Sequence, residues 1–359
     1  MKNIYTLTFH NADNYGALIQ AIALQVTLQK KYNTKLVDYR NVNINYSYKI
    51  LNTKNKKELI KNILFLFRVL KRKKNFSKFR NKISITERFN TINDLEKDNW
   101  ASVIVVGSDQ VWNPKITGGY DDFYFLNAEL GGVKKIAYAV SCGDVSNING
   151  ISNKEIDLIR SFDYISTREN TLKDYLEKRN IQSKVVLDPS LLLERNEWNN
   201  IISHDRLINE KYIFVYSVGN GTDEYYDYIN KIYSETGFLI VYFDRNDFKR
   251  KIKGRKKNYY SAGPDEFLNL LINAEYVITT SFHGMAMSIA LNKEFAVILS
   301  SSPDRIKTLL TSLSLNDRIV SEDNIVDFST KINWKIVNNN LKSLRKKSKE
   351  WLFSNIEKE

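Results

Sequence analysis

Polar and charged residues that could do chemistry follow apolar, strand-like runs at five points of the sequence. The first two loops are HNADNYG (residues 10–16) and GSDQVWNP (107–114). The others are STREN (166–170), TTSFHG (279–284) and SSSPDRIKT (300–308). Because the carboxyl ends of parallel strands meet at one edge of a sheet, we expect these loops to converge on a common site.

His283 is the candidate acid or base. It follows the strand-like run YVITTS and, with Gly284, opens the predicted helix MAMSIALN, which Ser281 is placed to cap. An imidazole at such a position can take a proton from a hydroxyl or bind an anion through a donor nitrogen. A core histidine is the alternative, and the loop position favours the functional interpretation.

Two arginines are candidates for binding an anion. Arg168 comes directly after a predicted strand, and its planar guanidinium suits a carboxylate or a phosphate. A surface pair with Glu169 is the alternative. Arg305 lies near the start of the predicted helix DRIKTLL, where free backbone N–H groups also favour an anion. Simple helix capping explains everything in that loop except the arginine.

Two further loops suit a hydroxyl-bearing ligand. Asp109 lies in a stiff turn with Trp112, where it could accept a proton from a hydroxyl. The alternative is that Asp109 caps the next segment and Trp112 belongs to the core. Asn14, Tyr15 and Gly16 precede a predicted helix and form either a ligand loop or a common Asn-Gly turn.

Several familiar chemistries lack their motifs. The sequence contains no GxxxxGK(S/T), no GxGxxG after a strand and no GxSxG, which argues against a P-loop, a dinucleotide fold and a serine hydrolase. Three histidines and one cysteine make a His/Cys metal cluster improbable, so we expect no metal. The single cysteine, Cys142, excludes an internal disulfide.

Short apolar strands alternate with amphipathic helices along the whole chain, and the cycle restarts near residue 211. This pattern predicts an α/β protein with two Rossmann-like lobes built on parallel sheets. We expect an N-terminal lobe over residues 1–205, a C-terminal lobe over 206–335 and a C-terminal helix over 336–359. The site is expected in the cleft between the lobes.

The net charge of +13 is concentrated in one segment. Residues 54–82 contain twelve Lys and Arg and one acidic residue, so the rest of the chain is close to neutral. The segment predicts a helical insert that either lies on an anionic membrane surface or packs on the core with a solvated lysine face. No nucleic-acid reader motif accompanies it. Without a long apolar run or a leader-like N-terminus, the expected location is the cytoplasm, free or peripheral at the inner face of the plasma membrane.

Seven segments, taken in order, resemble the polysaccharide pyruvyl transferase family. The two most specific blocks are VVGSDQVWNP and GPDEFLNLLINAEYVITTSFHGMAMSIALN. The supporting segments are NYGALIQAIAL, IAYAVSCG, ISTREN, VVLDPSLLL and DRIKTLLTSLSLNDR. The resemblance spans residues 1 to about 320.

The resemblance implies a GT-B-like fold whose last helix crosses back to the first lobe. It also implies an enzyme that moves the enolpyruvyl-derived group of phosphoenolpyruvate onto a sugar or lipid-linked oligosaccharide, with phosphoenolpyruvate as co-substrate and no other cofactor. The products are pyruvate ketals in capsule or exopolysaccharide.

On this basis we assign expected roles to the candidate residues. His283 is the acid, base or phosphate ligand, Arg168 the anion clamp and Asp109 the hydroxyl base. The remaining expectations are a donor side at Ser281, Gly284, Arg305 and Arg168, and an acceptor side at Asn14, Tyr15, Gly16 and Trp112.

One position departs from the family pattern. Some members carry an arginine where this chain has Ser281. If that arginine binds phosphoenolpyruvate in those members, this chain must use another cation, Arg305 or Arg245, or a different donor. Two other functions remain open: a GT-B-type glycosyltransferase that uses a nucleotide sugar, and a non-enzymatic scaffold that docks on membranes through residues 54–82.

Overall fold

The computed structural model describes residues 1–47, 66–218, 221–244, 251–299 and 303–358. Within them, two parallel sheets form the centres of two α/β lobes. The strands are β1 Asn3–Leu7, β2 Asn33–Tyr39, β3 Ile85–Phe89, β4 Val103–Val106, β5 Lys134–Val140, β6 Tyr164–Thr167, β7 Lys184–Val185, β8 Tyr212–Tyr216, β9 Leu239–Tyr242, β10 Lys256–Asn258, β11 Tyr276–Thr279, β12 Phe295–Ile298 and β13 Ile319–Val320.

The first sheet has the order β3-β2-β1-β4-β5-β6-β7, and the second has the order β10-β9-β8-β11-β12-β13. All of these pairings are parallel. In each sheet the order reverses beside the first strand of the lobe, and such a switch point opens a crevice at the carboxyl ends of the strands.

Helices cover both sheets. They are α1 Tyr15–Gln29, α2 Val42–Ser47, α3 Leu66–Arg80, α4 Ile92–Lys97, α5 Pro114–Thr117, α6 Val145–Asn149, α7 Asn153–Arg160, α8 Asn170–Glu177, α9 Arg195–Ile201, α10 Asp223–Thr236, α11 Pro264–Ile272, α12 Phe282–Ala290, α13 Asp304–Leu313 and α14 Trp334–Glu357. The predicted lobe boundary at 205/206 falls between α9 and β8.

The central strands are continuous apolar runs because helices cover both of their faces. The VIVV of β4 and the FAVI of β12 are buried at every residue. Three edge strands, β3, β10 and β13, were not predicted. Two of them have polar or charged sequences, ITERF and KKN, and the third has only two residues, so none carries the apolar run of a central strand.

Helices α1 and α12 are buried on nearly all sides and lie at the junction of the lobes. Almost every residue of α1 and every residue of α12 is buried. A helix that is apolar all round belongs inside a large core rather than on a surface. Their N-termini, which begin at Tyr15 and Phe282, therefore meet deep between the lobes.

Among the described residues, one of three hydrophobic clusters spans both lobes. A single cluster of buried side chains includes Leu18 of the first lobe, Phe214 of the second and Leu352 of the C-terminal helix. Helix α14 returns to the first lobe, as expected: the Arg345 Nε donates to the Leu191 carbonyl at 2.8 Å, and the Ser348 hydroxyl accepts the Leu187 N–H at 3.0 Å. The architecture is the predicted GT-B-like one.

Helix α3, the second half of the basic segment, packs on the core with its lysines outside. Val69, Phe76 and Phe79 are buried. Arg72 joins the lobes, because its guanidinium donates to the Asp13 carbonyl at 2.8 Å and to the Tyr260 carbonyl at 3.0 Å. For residues 66–80, the inner face of the helix therefore packs on the core, which is one of the two alternatives given for the basic segment. Residues 54–65 lie outside the described residues. In the part of the chain that the structure describes, no helix is long and apolar enough to cross a membrane.

Candidate functional site

A cavity of about 480 Å³ lies between the lobes, at the carboxyl ends of both sheets. It brings together five of the residues chosen from the sequence, which come from four of the five loops. These are Asn14 and Asp109 of the first lobe and Ser281, His283 and Arg305 of the second.

His283 occupies the first turn of α12. Ser281 caps this helix, and its hydroxyl accepts the Gly284 N–H at 3.3 Å. Gly284 has no room for a side chain, because a Cβ there would approach the Thr279 hydroxyl. Gly284 therefore shapes the helix start and presents no side chain to a ligand. The His283 residue is 9% exposed, and that exposure is towards the cavity that it lines.

The imidazole of His283 rests against the first lobe on two sides. One side faces Gly16, where an added Cβ would overlap the Nδ1 atom. On the other side, Nε2 lies 3.6 Å from the Asp188 Oδ2 atom. Gly16 is therefore buried against the histidine. Gly16 was expected to contact the acceptor, and this is corrected: Gly16 packs against the His283 ring.

Asp188 is a site residue that the sequence analysis missed. It follows β7 in the segment VVLDPSLLL and is buried, with 2% of its surface exposed. Its Oδ1 accepts two bonds from Ser190, and its Oδ2 accepts bonds from Ser108 at 3.0 Å and Arg168 at 2.9 Å. Although burial raises the pKa of Asp188, His283 and Arg168 hold it well below its usual range. The signal was an aspartate after a strand, the same signal that selected Asp109.

Arg168 lies behind the cavity rather than inside it. Its side chain is 1% exposed and bridges two carboxylates, Asp188 at 2.9 Å and Asp109 at 3.3 Å. Both terminal nitrogens bind these carboxylates and the side chain does not line the cavity, which corrects the expected anion clamp. Its Nε has no hydrogen-bond partner among the described residues. The expected alternative, a surface pair with Glu169, is also wrong. Arg168 instead orients the Asp109 carboxylate at the cavity wall.

Arg305 is the cavity-lining arginine that has an unpaired donor. Its Nε atom is buried, and the described residues provide no hydrogen-bond partner for it. Burial and the nearby charge of Arg168 lower the pKa of Arg305 to about 10, so the side chain stays charged at neutral pH. Its guanidinium carbon lies 5.8 Å from the centre of the Phe282 ring. The other candidate cation, Arg245, lies outside the described residues.

Two expected acceptor contacts belong to the core. Trp112 is 2% exposed and donates its indole N–H to the Tyr124 carbonyl at 3.0 Å. Tyr15 is also 2% exposed, stacks on Phe267 with ring centres 4.2 Å apart and donates its hydroxyl to the Ala262 carbonyl. Neither side chain lines the cavity, which corrects both expectations. Asn14 does line it, and its side chain also caps α1.

No group of three or more His, Cys, Asp or Glu suited to a metal occurs among the described residues. The first-lobe wall of the cavity also includes Asn43, Gln110 and Lys115. The walls of the cavity therefore combine a carboxylate, an imidazole and a cation with amide groups. Together these groups can bind an anion and move protons of a hydroxyl-bearing partner.

The two lobes and the cavity between them define an α/β protein of GT-B-like architecture. Its chain matches the model of the family described as polysaccharide pyruvyl transferase over residues 14–302. The protein therefore belongs to the polysaccharide pyruvyl transferase family, which is a family of transferases. No curated protein matches the chain at a significant level of sequence similarity.

Solved structures of similar fold support the architecture. UDP-N-acetylglucosamine 2-epimerase from Rickettsia bellii is 12% identical, with a TM-score of 0.52 over 96% of this chain and 88% of that one. The UDP-GlcNAc 2-epimerase of Methanocaldococcus jannaschii is 14% identical, with a TM-score of 0.50 over 99% of both chains. At such low identity these likenesses show the fold alone.

Proposed function

We propose that this protein transfers the enolpyruvyl-derived group of phosphoenolpyruvate to a sugar of a cell-surface polysaccharide or of its lipid-linked precursor, forming a pyruvate ketal. Family membership supports the reaction class. The observation that carries the proposal is the combination of Asp109, His283 and Arg305 on the walls of one cavity between the lobes.

The proposed reaction sets clear demands on the site. A proton adds to the methylene carbon of phosphoenolpyruvate, which becomes a methyl group and leaves positive charge on the central carbon. Two sugar hydroxyls add to that carbon, and the bond to the phosphate oxygen breaks. The two hydroxyl protons balance the new C–H bond and the proton on the released phosphate. The site therefore needs a cation for the donor, a proton donor and a base.

We assign these roles as follows. Arg305 and the free N–H groups at the start of α12 bind the carboxylate or phosphate of the donor. His283 passes the proton between a hydroxyl, the methylene carbon and the leaving phosphate. Asp109, oriented by Arg168, accepts a hydroxyl proton, and its negative charge stabilises the cationic carbon.

The acceptor sugar is assigned to the first-lobe wall. Asn14, Asn43 and Gln110 line the cavity there beside apolar side chains such as Ile44 and Ile116. Amides with apolar neighbours suit the hydroxyls and C–H faces of a sugar. In this assignment Asn14 keeps its expected acceptor role, and Asn43 and Gln110 replace Tyr15, Gly16 and Trp112.

Donor binding provides the first test. Phosphoenolpyruvate should raise the melting temperature of the wild type, and Arg305→Gln should weaken its binding about 10- to 100-fold, the usual loss for a charge-assisted bond. Lys307→Gln is the matched control, because Lys307 is an exposed cation on the same helix. Equal weakening by both variants would contradict the assignment of Arg305.

Turnover distinguishes the alternatives. With phosphoenolpyruvate and lipid-linked or nitrophenyl sugars, the wild type should release phosphate, and His283→Ala should lose most of that release. Stabilisation by nucleotide sugars but not by phosphoenolpyruvate would instead support a GT-B-type glycosyltransferase. A scaffold would modify no sugar and would tolerate His283→Ala in polymer assembly.

We further propose that the protein works in the cytoplasm, at the inner face of the plasma membrane. On the outer side of α3, Phe67 is 86% exposed and Leu70 is 45% exposed. At about 100° per residue, Lys71, Lys74 and Lys78 lie on the same face of the helix, and all three are exposed. Apolar side chains beside lysines suit an anionic lipid surface.

Flotation with vesicles tests this contact. The wild type should bind phosphatidylcholine vesicles that contain one-third phosphatidylglycerol and should not bind pure phosphatidylcholine. Lys71→Glu combined with Lys74→Glu should abolish binding, whereas Lys342→Glu with Lys346→Glu on the exposed side of α14 should leave it intact. Equal binding by both double variants would contradict the assignment of α3.

A further inference from the structure

Asp188 has no contact with the cavity, yet it is the only described carboxylate that faces the buried edge of His283. Its carboxylate belongs to the first lobe, after β7, whereas the imidazole belongs to the second lobe, at the start of α12. The two approach to 3.6 Å across the lobe junction. On the imidazole, Nε2 is buried and has no hydrogen-bond partner among the described residues.

The hydrogen-bond donors around Asp188 determine whether its carboxylate is ionised. Donors from Ser108, Arg168 and Ser190 converge on its two oxygens, three of them at 2.9–3.0 Å. Hydrogen bonds and positive charge of this kind favour the ionised form. An ionised carboxylate only accepts hydrogen bonds, so it repels a bare nitrogen lone pair and favours an N–H. Nε2 is therefore the nitrogen that carries the hydrogen.

We infer that Asp188 is a positioning residue that fixes the tautomer of His283 across the lobe junction. With Nε2 protonated and directed at Asp188, the lone pair of the neutral ring lies on Nδ1. That edge of the ring packs against the backbone of Gly16, in the space that a side chain at this position would fill. Proton uptake by the neutral ring then takes place at Nδ1.

The 3.6 Å separation is longer than a hydrogen bond. Such pairs often tighten only when the ligand is bound. Because each lobe supplies one partner, the acid or base becomes oriented only where the lobes meet. Arg168 binds both Asp188 and Asp109, so a single buried guanidinium links the proposed acid with the proposed base.

Nitrogen NMR of ¹⁵N-histidine-labelled full-length protein tests the inference without requiring turnover. In the wild type at neutral pH, the neutral ring of His283 should carry its hydrogen on Nε2. In Asp188→Asn, an amide that can donate to Nε2 should shift the population towards the Nδ1-protonated form. A wild-type ring protonated on Nδ1 would overturn the inference, and so would an unchanged tautomer in Asp188→Asn. The wild-type measurement decides even if the variant fails to fold.

A matched control exists in the first lobe. Asp38 and His10 form another buried carboxylate–imidazole pair, with the Asp38 Oδ1 atom 3.0 Å from the His10 Nε2 atom. Asp38→Asn should alter the signals of His10 and leave those of His283 unchanged. A change at His283 in this control would mean that the tautomer responds to general destabilisation, which would overturn the role of Asp188.

The kinetic consequence rests on the proposed function. Asp188→Asn should lower kcat for phosphate release at least about 100-fold, the usual range for a mispositioned acid or base. The KM for phosphoenolpyruvate should change less than about 3-fold, because Arg305 is untouched. A purely raised KM would contradict positioning. If the wild type releases no phosphate, the proposed function fails, and the NMR result still decides the tautomer.

Discussion

At the scale of single residues, the position of His283 depends on a glycine in the opposite lobe. Gly16 lies in the first turn of α1, and its backbone packs against the edge of the imidazole that carries Nδ1. Both partners are buried, so neither can move aside without repacking the junction. The close approach explains a glycine in a helix where alanine would be the better helix former.

Gly16→Ala should therefore impair catalysis more than folding. The added methyl group overlaps the ring, and relief of the overlap should cost about 1–3 kcal/mol of unfolding free energy. Displacement of the ring should lower kcat at least about 10-fold. Urea unfolding and phosphate release measure the two effects. Gly150→Ala is the control, because the nearest atoms to its Cβ lie at 3.4 and 3.6 Å. Normal turnover in Gly16→Ala would show that catalysis does not depend on the close contact between Gly16 and the His283 ring.

The sequence predicted part of the candidate site because chemistry-bearing residues follow strands. His283, Asp109 and Arg305 all line the cavity. The same rule could not tell which side chains turn inward, so it also selected Arg168 and Trp112, which are buried behind the wall. A pairing such as that of Asp188 with His283 joins residues 95 positions apart in different lobes, and local sequence carries no signal for it.

At the scale of elements, α3 connects the two lobes through side-chain contacts with both. Arg72 lies at its centre, stacked 4.6 Å from the Tyr15 ring and 4.5 Å from the Phe76 ring. Its Nη1 donates to the Tyr15 hydroxyl at 2.6 Å and to the Tyr260 carbonyl at 3.0 Å. Asn75 adds a bond to the Ser261 carbonyl at 3.0 Å. The loop before α1 is thereby tied to the second lobe.

Arg72→Ala should destabilise the protein by about 2–4 kcal/mol, because three acceptors lose their donor and two rings lose a packing partner. Equilibrium unfolding in urea measures the loss. Lys74→Ala, an exposed cation two residues further along α3, should change stability by less than about 0.5 kcal/mol. A similar loss in both variants would show that helix propensity, not the bridge, determines the effect.

The elements themselves were predictable where burial is complete. Central strands such as β4 and β12 are apolar at every position, and α1 and α12 follow directly from the sequence pattern. Edge strands such as β10, with sequence KKN, lack that pattern and form only because a neighbouring strand provides the hydrogen bonds. The basic charge of α3 predicted a helix with an exposed face. Its buried face could not be predicted, because it contacts aromatic rings and backbone carbonyls from both lobes.

At the scale of the whole molecule, the two lobes form one packed body around the cavity. The shared core contains side chains from both sheets and from α14, so the walls of the cavity are held by apolar packing. Charge inside this junction is balanced locally by Arg168 between Asp109 and Asp188. Stability should therefore respond to pH through carboxylates that are charged in the folded state.

Asp188 determines the sign of that response. Burial raises its pKa, but His283 and Arg168 outweigh this effect and hold the pKa well below its usual range of about 4. Its contribution to stability is complete above the unfolded pKa and is lost as pH falls through the folded pKa. Below about pH 4 the free energy of unfolding should decrease by up to about 1.4 kcal/mol per pH unit for this group. Urea unfolding between pH 7 and pH 3 measures this effect, and the free energy of unfolding should decrease less steeply for Asp188→Asn than for the wild type. Equal slopes would mean that Asp188 is not preferentially ionised in the folded protein.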